Sequence, residues 1–231
     1  MEYIVDKSFG WQGRITPKVG AVMRMFGVDV DRLAEASPRH HCRVELCAGQ
    51  ICYITGPSGS GKSVLLREMM AKTTAMSEYR QGRATHRPDE SIDLDSINLF
   101  DREAVIDCIG GNFIDALRTL SIAGLSDVFA VLNRPCYLSE GQKYRFRLAK
   151  ALASSKRLIF ADEFCSNLDR ITAAVIAYQI RKFATRHNVA FVLASSHEDI
   201  LADLQPDVVI IKQLNGKTEV HYKYVHHNKT S

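Results

Sequence analysis

The chain has 231 residues, of which 46% are hydrophobic and 24% charged, with a formal net charge of +4. That length and balance suffice for a full globular core, which excludes a disordered chain and a small fold stapled by disulfides. The mild positive excess permits contact with nucleic acid or anionic lipid without requiring it, and is the ordinary state of a solvated surface.

Six cysteines, Cys42, Cys47, Cys52, Cys108, Cys136 and Cys165, form no Cys-x-x-Cys pair and follow no secretory leader. A zinc site is therefore not expected, and Cys47 and Cys52, which lie in apolar strand-like runs, are expected as reduced, buried thiols. This usage places the chain in the cytoplasm. No apolar run approaches the roughly 20 residues that span a bilayer, so any membrane role would come through a partner.

In chain order, residues 1–40 are the least regular part and are expected to form either an irregular lobe or a piece of the β-subdomain of the domain that fills 41–231. "CRVELCAGQICYITG" reads as two strands, Cys42–Cys47 and Ile51–Thr55, with a turn at Ala48–Gln50. A helix is predicted from Lys62 to about Ala75, then a polar, proline-bearing surface connection from Gln81 to Asp95. Helical spacing returns in "REAVIDCIGGNFIDALRTLSIAGL", split at Gly110-Gly111. A helix after Ser139, a strand "RLIFA", a helix from about Arg170 to Arg186, a strand "VAFVLAS" and a strand pair near "DVVIIKQ" and "TEVHYKYV" complete the pattern. Such alternation belongs to a layered α/β domain.

The run Gly56-Pro57-Ser58-Gly59-Ser60-Gly61-Lys62-Ser63 fits G-x-x-x-x-G-K-[ST] in full, between a predicted strand and a predicted helix. Gly56, Gly59 and Gly61 admit backbone angles and a close approach that a Cβ would block, so that successive N–H groups point at phosphate oxygens. The helix adds its positive end. Lys62 is suited to span β- and γ-phosphates, and the Ser63 hydroxyl to ligate magnesium. Binding of a nucleoside triphosphate is the expectation. Further on, "RLIFADEF" ends a strand in Asp162-Glu163, the arrangement of a magnesium-holding carboxylate followed by a water-polarising one. Alone, such a pair is as often a helix N-terminal charge; with the glycine loop it acquires a chemical meaning.

Ahead of that strand stand Leu138-Ser139-Glu140-Gly141-Gln142, then Arg145 and Ala149-Lys150-Ala151-Leu152. At these residues the chain resembles the ATP-binding-cassette (ABC) ATPases, whose signature is LSGGQ followed by an arginine and an Ala-Arg-Ala-Leu-like helix. Glu140 replaces the signature's first glycine. Ser166-Asn167-Leu168-Asp169 resembles the family's D-loop, and His197 in "ASSHED" stands just past an apolar strand, as the family's switch histidine does. The likeness covers about residues 42–212.

The resemblance implies a P-loop NTPase of the ABC type, an α/β fold with a β-rich N-terminal part and a helical signature subdomain over about 103–150. It implies ATP and Mg²⁺ as ligands and an ATP-dependent head-to-tail homodimer, in which the signature of one copy caps the nucleotide of the other. On that pattern Ser139, Glu140, Gly141 and Gln142 act in trans, while Ser166 and Asp169 lie in the loop that crosses between protomers. Glu163 polarises the attacking water, His197 contacts the γ-phosphate, and Asp162 with Ser63 fixes magnesium. An aromatic upstream of the loop stacks on adenine in the family; Phe26 in "RMFGVD" is the choice here, although it is equally placed to be core.

One departure bears on function. Transporter ATPases carry a glutamine at a strand end between loop and signature, yet no glutamine lies between Gln81 and Gln142. Gln81 follows Lys62 too early, and Asp101 is the available polar substitute. The expectation is therefore an ABC ATPase that is soluble and not a transporter, a dimerising switch acting on a protein or nucleic-acid partner. It is most similar to the compact ATPase modules fused to predicted acetyltransferase domains, although no acetyltransferase-sized region is present. The alternatives are the nucleotide-binding subunit of a membrane transporter and a non-hydrolysing, nucleotide-gated binding module. Glu163 and His197 weigh against the last, since a pure sensor has no use for a water-activating pair. The tail "HYKYVHHNKTS" offers lysines and tyrosines to a phosphate backbone, or is idle.

Overall fold

The apolar runs that bracket the glycine loop become the centre of a six-stranded sheet. The computed structural model describes residues 1–8, 13–35, 39–80, 91–99 and 102–223. In chain order its elements are β1 (Glu2–Ser8), α1 (Pro17–Phe26), α2 (Val30–Glu35), β2 (Arg39–Glu45), β3 (Ile51–Thr55), α3 (Lys62–Arg80) and β4 (Ser91–Asp93). After these come α4 (Phe113–Ile122), α5 (Val128–Leu132), α6 (Glu140–Ala153), β5 (Leu158–Ala161), α7 (Arg170–His187), β6 (Ala190–Ala194), α8 (Leu201–Leu204), β7 (Val208–Lys212) and β8 (Thr218–Tyr222).

The main sheet runs β4-β5-β6-β3-β7-β8, parallel except for the β7–β8 hairpin. Strands β3, β5 and β6 are buried at every residue, as expected where helices cover both faces of a parallel sheet. Side-chain alternation along β3 divides the core in two. Ile51 and Tyr53 face Phe146 and Leu148 of α6 and Ile176 and Ile180 of α7. Cys52 and Ile54 face Leu65, Leu66 and Met69 of α3 together with Tyr3, Val5 and Val44.

Several sequence expectations change. Residues 1–40 are not uniformly irregular: β1 alternates buried Tyr3 and Val5 with exposed neighbours and pairs antiparallel with β2. Consequently β2 and β3 do not form a hairpin; β2 belongs to a separate two-stranded ribbon. Because β2 ends at Glu45, Cys47 is exposed, its N–H donating to Gln50 Oε1 at 2.8 Å, while Cys52 is buried as expected. Before the paired glycines the chain makes turns with buried Val105 and Ile109 instead of a helix, and α4 starts only at Phe113, where Asn112 Oδ1 accepts the Asp115 N–H at 3.0 Å. Within the expected polar connection, Ser91–Asp93 add a short edge strand beside β5. Among the described residues, no helix is long and apolar enough to cross a membrane.

Candidate nucleotide site

The loop after β3 is shaped by a contact that only glycine permits. Gly56 has φ +138°, and a Cβ there would lie 2.1 Å from the Lys212 carbonyl oxygen of β7. Gly59 and Gly61 take φ +79° and +90°, in the left-handed region. Lys62 Nζ folds over the loop and donates to the carbonyls of Gly56 at 2.7 Å and Pro57 at 3.0 Å. Ser60 is buried, and its Oγ makes no hydrogen bond. With α3 beginning at Lys62, the free N–H groups and positive end of that helix sit where an anion is favoured.

A cavity of about 340 Å³ opens against this loop. It is lined by Ser58, Gly59, Gly61, Lys62, Ser63 and Val64, by Asp162, Glu163 and Ser166 beyond β5, and by Ala194–Ser196 beyond β6. Segments far apart in the chain thus converge at one end of the sheet, as the adjacent parallel strands β3, β5 and β6 require.

The turn carrying the carboxylates is conformationally costly. Glu163 and Cys165 both have positive φ, +48° and +59°, in residues that bear a Cβ. Bonds hold it: the Phe164 N–H donates to Ala194 O at 2.8 Å, Ser166 N–H to Glu163 O at 3.0 Å, and Cys165 N–H to the Tyr144 hydroxyl at 3.0 Å. Buried Phe164 anchors the turn, leaving Glu163 exposed at the cavity wall. Glu163 N–H donates to Asp162 Oδ1 at 3.0 Å.

Sequence reasoning missed Asp93, Tyr53 and Tyr144. Asp93 pairs in register with Phe160, close to Asp162. Burial, together with the charges of Asp95 and Asp162, holds its carboxyl above the usual range, against the lowering effect of the Asp95 N–H. Tyr53, buried in β3, donates its hydroxyl to the His197 carbonyl, and burial pushes its phenol up to about 12, so it remains a neutral donor. A tyrosine at the centre of a short, mainly apolar strand was the available signal.

His197 itself is exposed, with its N–H on Ser195 Oγ at 3.3 Å, and it does not line the cavity. The signature residues are likewise outside it. Ser139 caps α6: its Oγ accepts the Gln142 N–H at 3.3 Å and Gln142 Oε1 accepts the Ser139 N–H at 2.9 Å, while Glu140 pairs with Lys143 at 2.8 Å. Gly141 backs against Leu168, where a Cβ would come within 3.4 Å. Asp169 caps α7 by accepting the Thr172 N–H at 2.9 Å, and the Thr172 hydroxyl together with that N–H holds its carboxyl below the usual range. Phe26 closes α1 with its ring exposed, and it is not among the residues that line the cavity. Gln81, Asp101 and the tail from 224 onward lie outside the described residues.

Oxygen donors suited to a hard cation, the Ser63 hydroxyl and the Asp162 carboxylate, line the same cavity. Among the described residues, no group of three or more His, Cys, Asp or Glu gathers to hold a metal. Few protein ligands suit magnesium, which keeps waters and substrate phosphates in its shell.

Residues 40–166 match the ABC transporter family. The aliphatic sulfonates import ATP-binding protein SsuB of Yersinia pestis bv. Antiqua is 32% identical, over 74% of this chain and 66% of that protein. The phosphonates import ATP-binding protein PhnC of Hyphomonas neptunium is 31% identical, over 75% of this chain and 76% of its own length. For the sn-glycerol-3-phosphate import ATP-binding protein UgpC of Rhodopseudomonas palustris the figures are 28%, 73% and 50%. The chain thus spans about two thirds of the sulfonate relative and half of the glycerol-phosphate one. A solved ATP-binding cassette, MJ0796 in a dimeric post-hydrolysis state bound to ADP and Pi, shares the fold, with a TM-score of 0.63 at 17% identity over 97% of this chain and 100% of that one. The glycine loop, the carboxylate turn and the capped signature helix are therefore set on an α/β P-loop fold of known lineage: the chain belongs to the ATP-binding-cassette family of ATPases.

Proposed function

We propose that the chain is the ATP-hydrolysing, nucleotide-binding subunit of an ABC transporter, working as a head-to-tail pair at the cytoplasmic face of a membrane. The observation that carries this reading is the split of the chemistry: loop, Asp162 and Glu163 share one cavity, while Ser139–Gln142 are outside it, at the start of another helix. The relatives, whose names are those of import ATP-binding proteins, support a transport role.

On this reading the loop N–H groups, Lys62 and the end of α3 hold the phosphates, and Phe26 offers an exposed ring to the adenine. Ser63 and Asp162 would hold magnesium, which when bound neutralises phosphate charge. Glu163 takes the proton of the attacking water, and His197 positions the γ-phosphate side of the site. Ser139 and Gln142 satisfy each other in the capping box, which leaves the first N–H groups of α6, at Glu140 and Gly141, as donors toward a phosphate on the partner. Ser166 and Asp169 belong to the segment that would cross between protomers. Loss of the bridging phosphate loosens the pair, turning chemistry into movement.

A second reading, a switch acting on a protein or nucleic-acid partner outside any transporter, draws on one feature. No glutamine stands between Gln81 and Gln142, and the strand beside Asp162 ends in Asp93. The likeness to ATPases fused to acetyltransferases finds no support among the relatives named. Replacing Glu163 tests the shared chemistry: Glu163→Gln should lower turnover by at least about a hundredfold and leave an ATP-bound dimer on size exclusion. A variant that remains monomeric at saturating ATP contradicts the pairing. Co-purification of that trapped form with membrane subunits, as opposed to water-soluble partners, separates the two readings.

A further inference from the structure

The geometry points to Tyr144 as a positioning residue for hydrolysis: from the signature helix α6, its hydroxyl pins the turn that presents Glu163. This inference rests on the reading of Glu163 as the base. Tyr144 is buried, and its hydroxyl oxygen accepts the Cys165 N–H at 3.0 Å. The turn needs an external tie, because Glu163 and Cys165 are both left-handed and neither is glycine. Of the bonds that fix it, Ser166 N–H to Glu163 O is internal and Phe164 N–H to Ala194 O comes from β6. The Tyr144 bond comes from α6, the helix whose first residues would face the partner's nucleotide.

A second contact reinforces the same seam. Gly141, in the first turn of α6, lies where a Cβ would be 3.4 Å from Leu168 Cδ2 and 3.8 Å from Asn167 O. The start of α6 thus packs against Asn167–Leu168, just beyond the carboxylate turn, so a signature helix seated on a partner would also hold the base of its own protomer. Burial keeps the Tyr144 phenol neutral, well above its ordinary range, and pushes the Cys165 thiol up to about 12. Near neutral pH the Tyr144 hydroxyl thus accepts the Cys165 N–H while pointing its own hydrogen at the neutral Cys165 sulfur at 4.0 Å, and the N–H bond is the shorter tie.

The test is single-turnover and steady-state ATP hydrolysis by the full chain, comparing the parent with Tyr144→Phe, Glu163→Gln and the double variant, with melting and ATP affinity measured on the same samples. Tyr144→Phe deletes only the hydroxyl and leaves a buried N–H unpaired, so kcat should fall about tenfold with KM for ATP changed less than about twofold. In the Glu163→Gln background the same change should alter the residual rate by less than about twofold, because both act on one step. Unchanged kcat in Tyr144→Phe overturns the proposal and leaves the role of Glu163 intact. So does a parallel loss of affinity and melting temperature with normal turnover per bound ATP, or a fully multiplicative effect in the double variant. Parent-like turnover by Glu163→Gln removes both the base and the proposal.

Discussion

Gly56 carries two demands at once, a left-handed backbone and an approach to Lys212 that leaves no room for a Cβ. Gly56→Ala should therefore destabilise the fold by about 3 kcal/mol or more, because both the strain and the clash fall on backbone. Thermal or urea unfolding checks this; a variant as stable as the parent would mean that the loop does not pack on β7 as described. Asp93 makes the opposite kind of prediction. Its carboxyl is held above the usual range, so the folded chain binds that proton more tightly than the unfolded chain does. The stability it contributes is present below the unfolded carboxylate range and is lost as pH rises through the raised value. Asp93→Asn should melt above the parent near pH 7, with the gap closing as pH falls toward about 4; a gap independent of pH contradicts the assignment. At this scale the motif spacing picked out Lys62, Ser63, Asp162 and Glu163, and the fold brings all four to one cavity wall. Tyr53, Asp93 and Tyr144 stayed hidden because their partners, His197, Asp162 and Cys165, are supplied by turns and loops distant in the chain.

Elements were legible where burial pattern and capping agree. Strands β3, β5 and β6 are short apolar runs, and α6 and α7 start at Ser139 and Asp169, side chains that cap in the structure as their types foretell. Ser139→Ala should lower stability by about 1 kcal/mol through loss of the cap, apart from any effect on turnover. Equal unfolding midpoints would show that the Ser139–Gln142 box does not hold α6. Less was legible where an element depends on its neighbour. The strand β4 has only three residues, two of them polar, and exists because it pairs with β5. The ribbon of β1 and β2 could not be read from local spacing, since a turn between two strands, here at Ala48–Gln50, does not say which strands pair: β2 pairs with β1, and β3 with β6 and β7. The helix expected before Gly110 is replaced by turns that bury Val105 and Ile109, because three-dimensional packing and not helical periodicity places those apolar residues.

For the whole molecule, one protomer carries loop and base in its cavity and its signature outside it. In the proposed head-to-tail pair, two-fold symmetry would place each signature on the other copy's loop and make both sites composite. The most direct measurement uses two crippled chains: Ser139→Arg, which spoils the signature and spares the loop, and Lys62→Ala, which does the reverse. Each alone should be inactive, and an equimolar mixture should recover about a quarter of parental ATP turnover, since half the dimers are mixed and each of those has one intact site. Substantial turnover by Ser139→Arg alone, or a mixture as inactive as its components, would contradict a site shared between two chains.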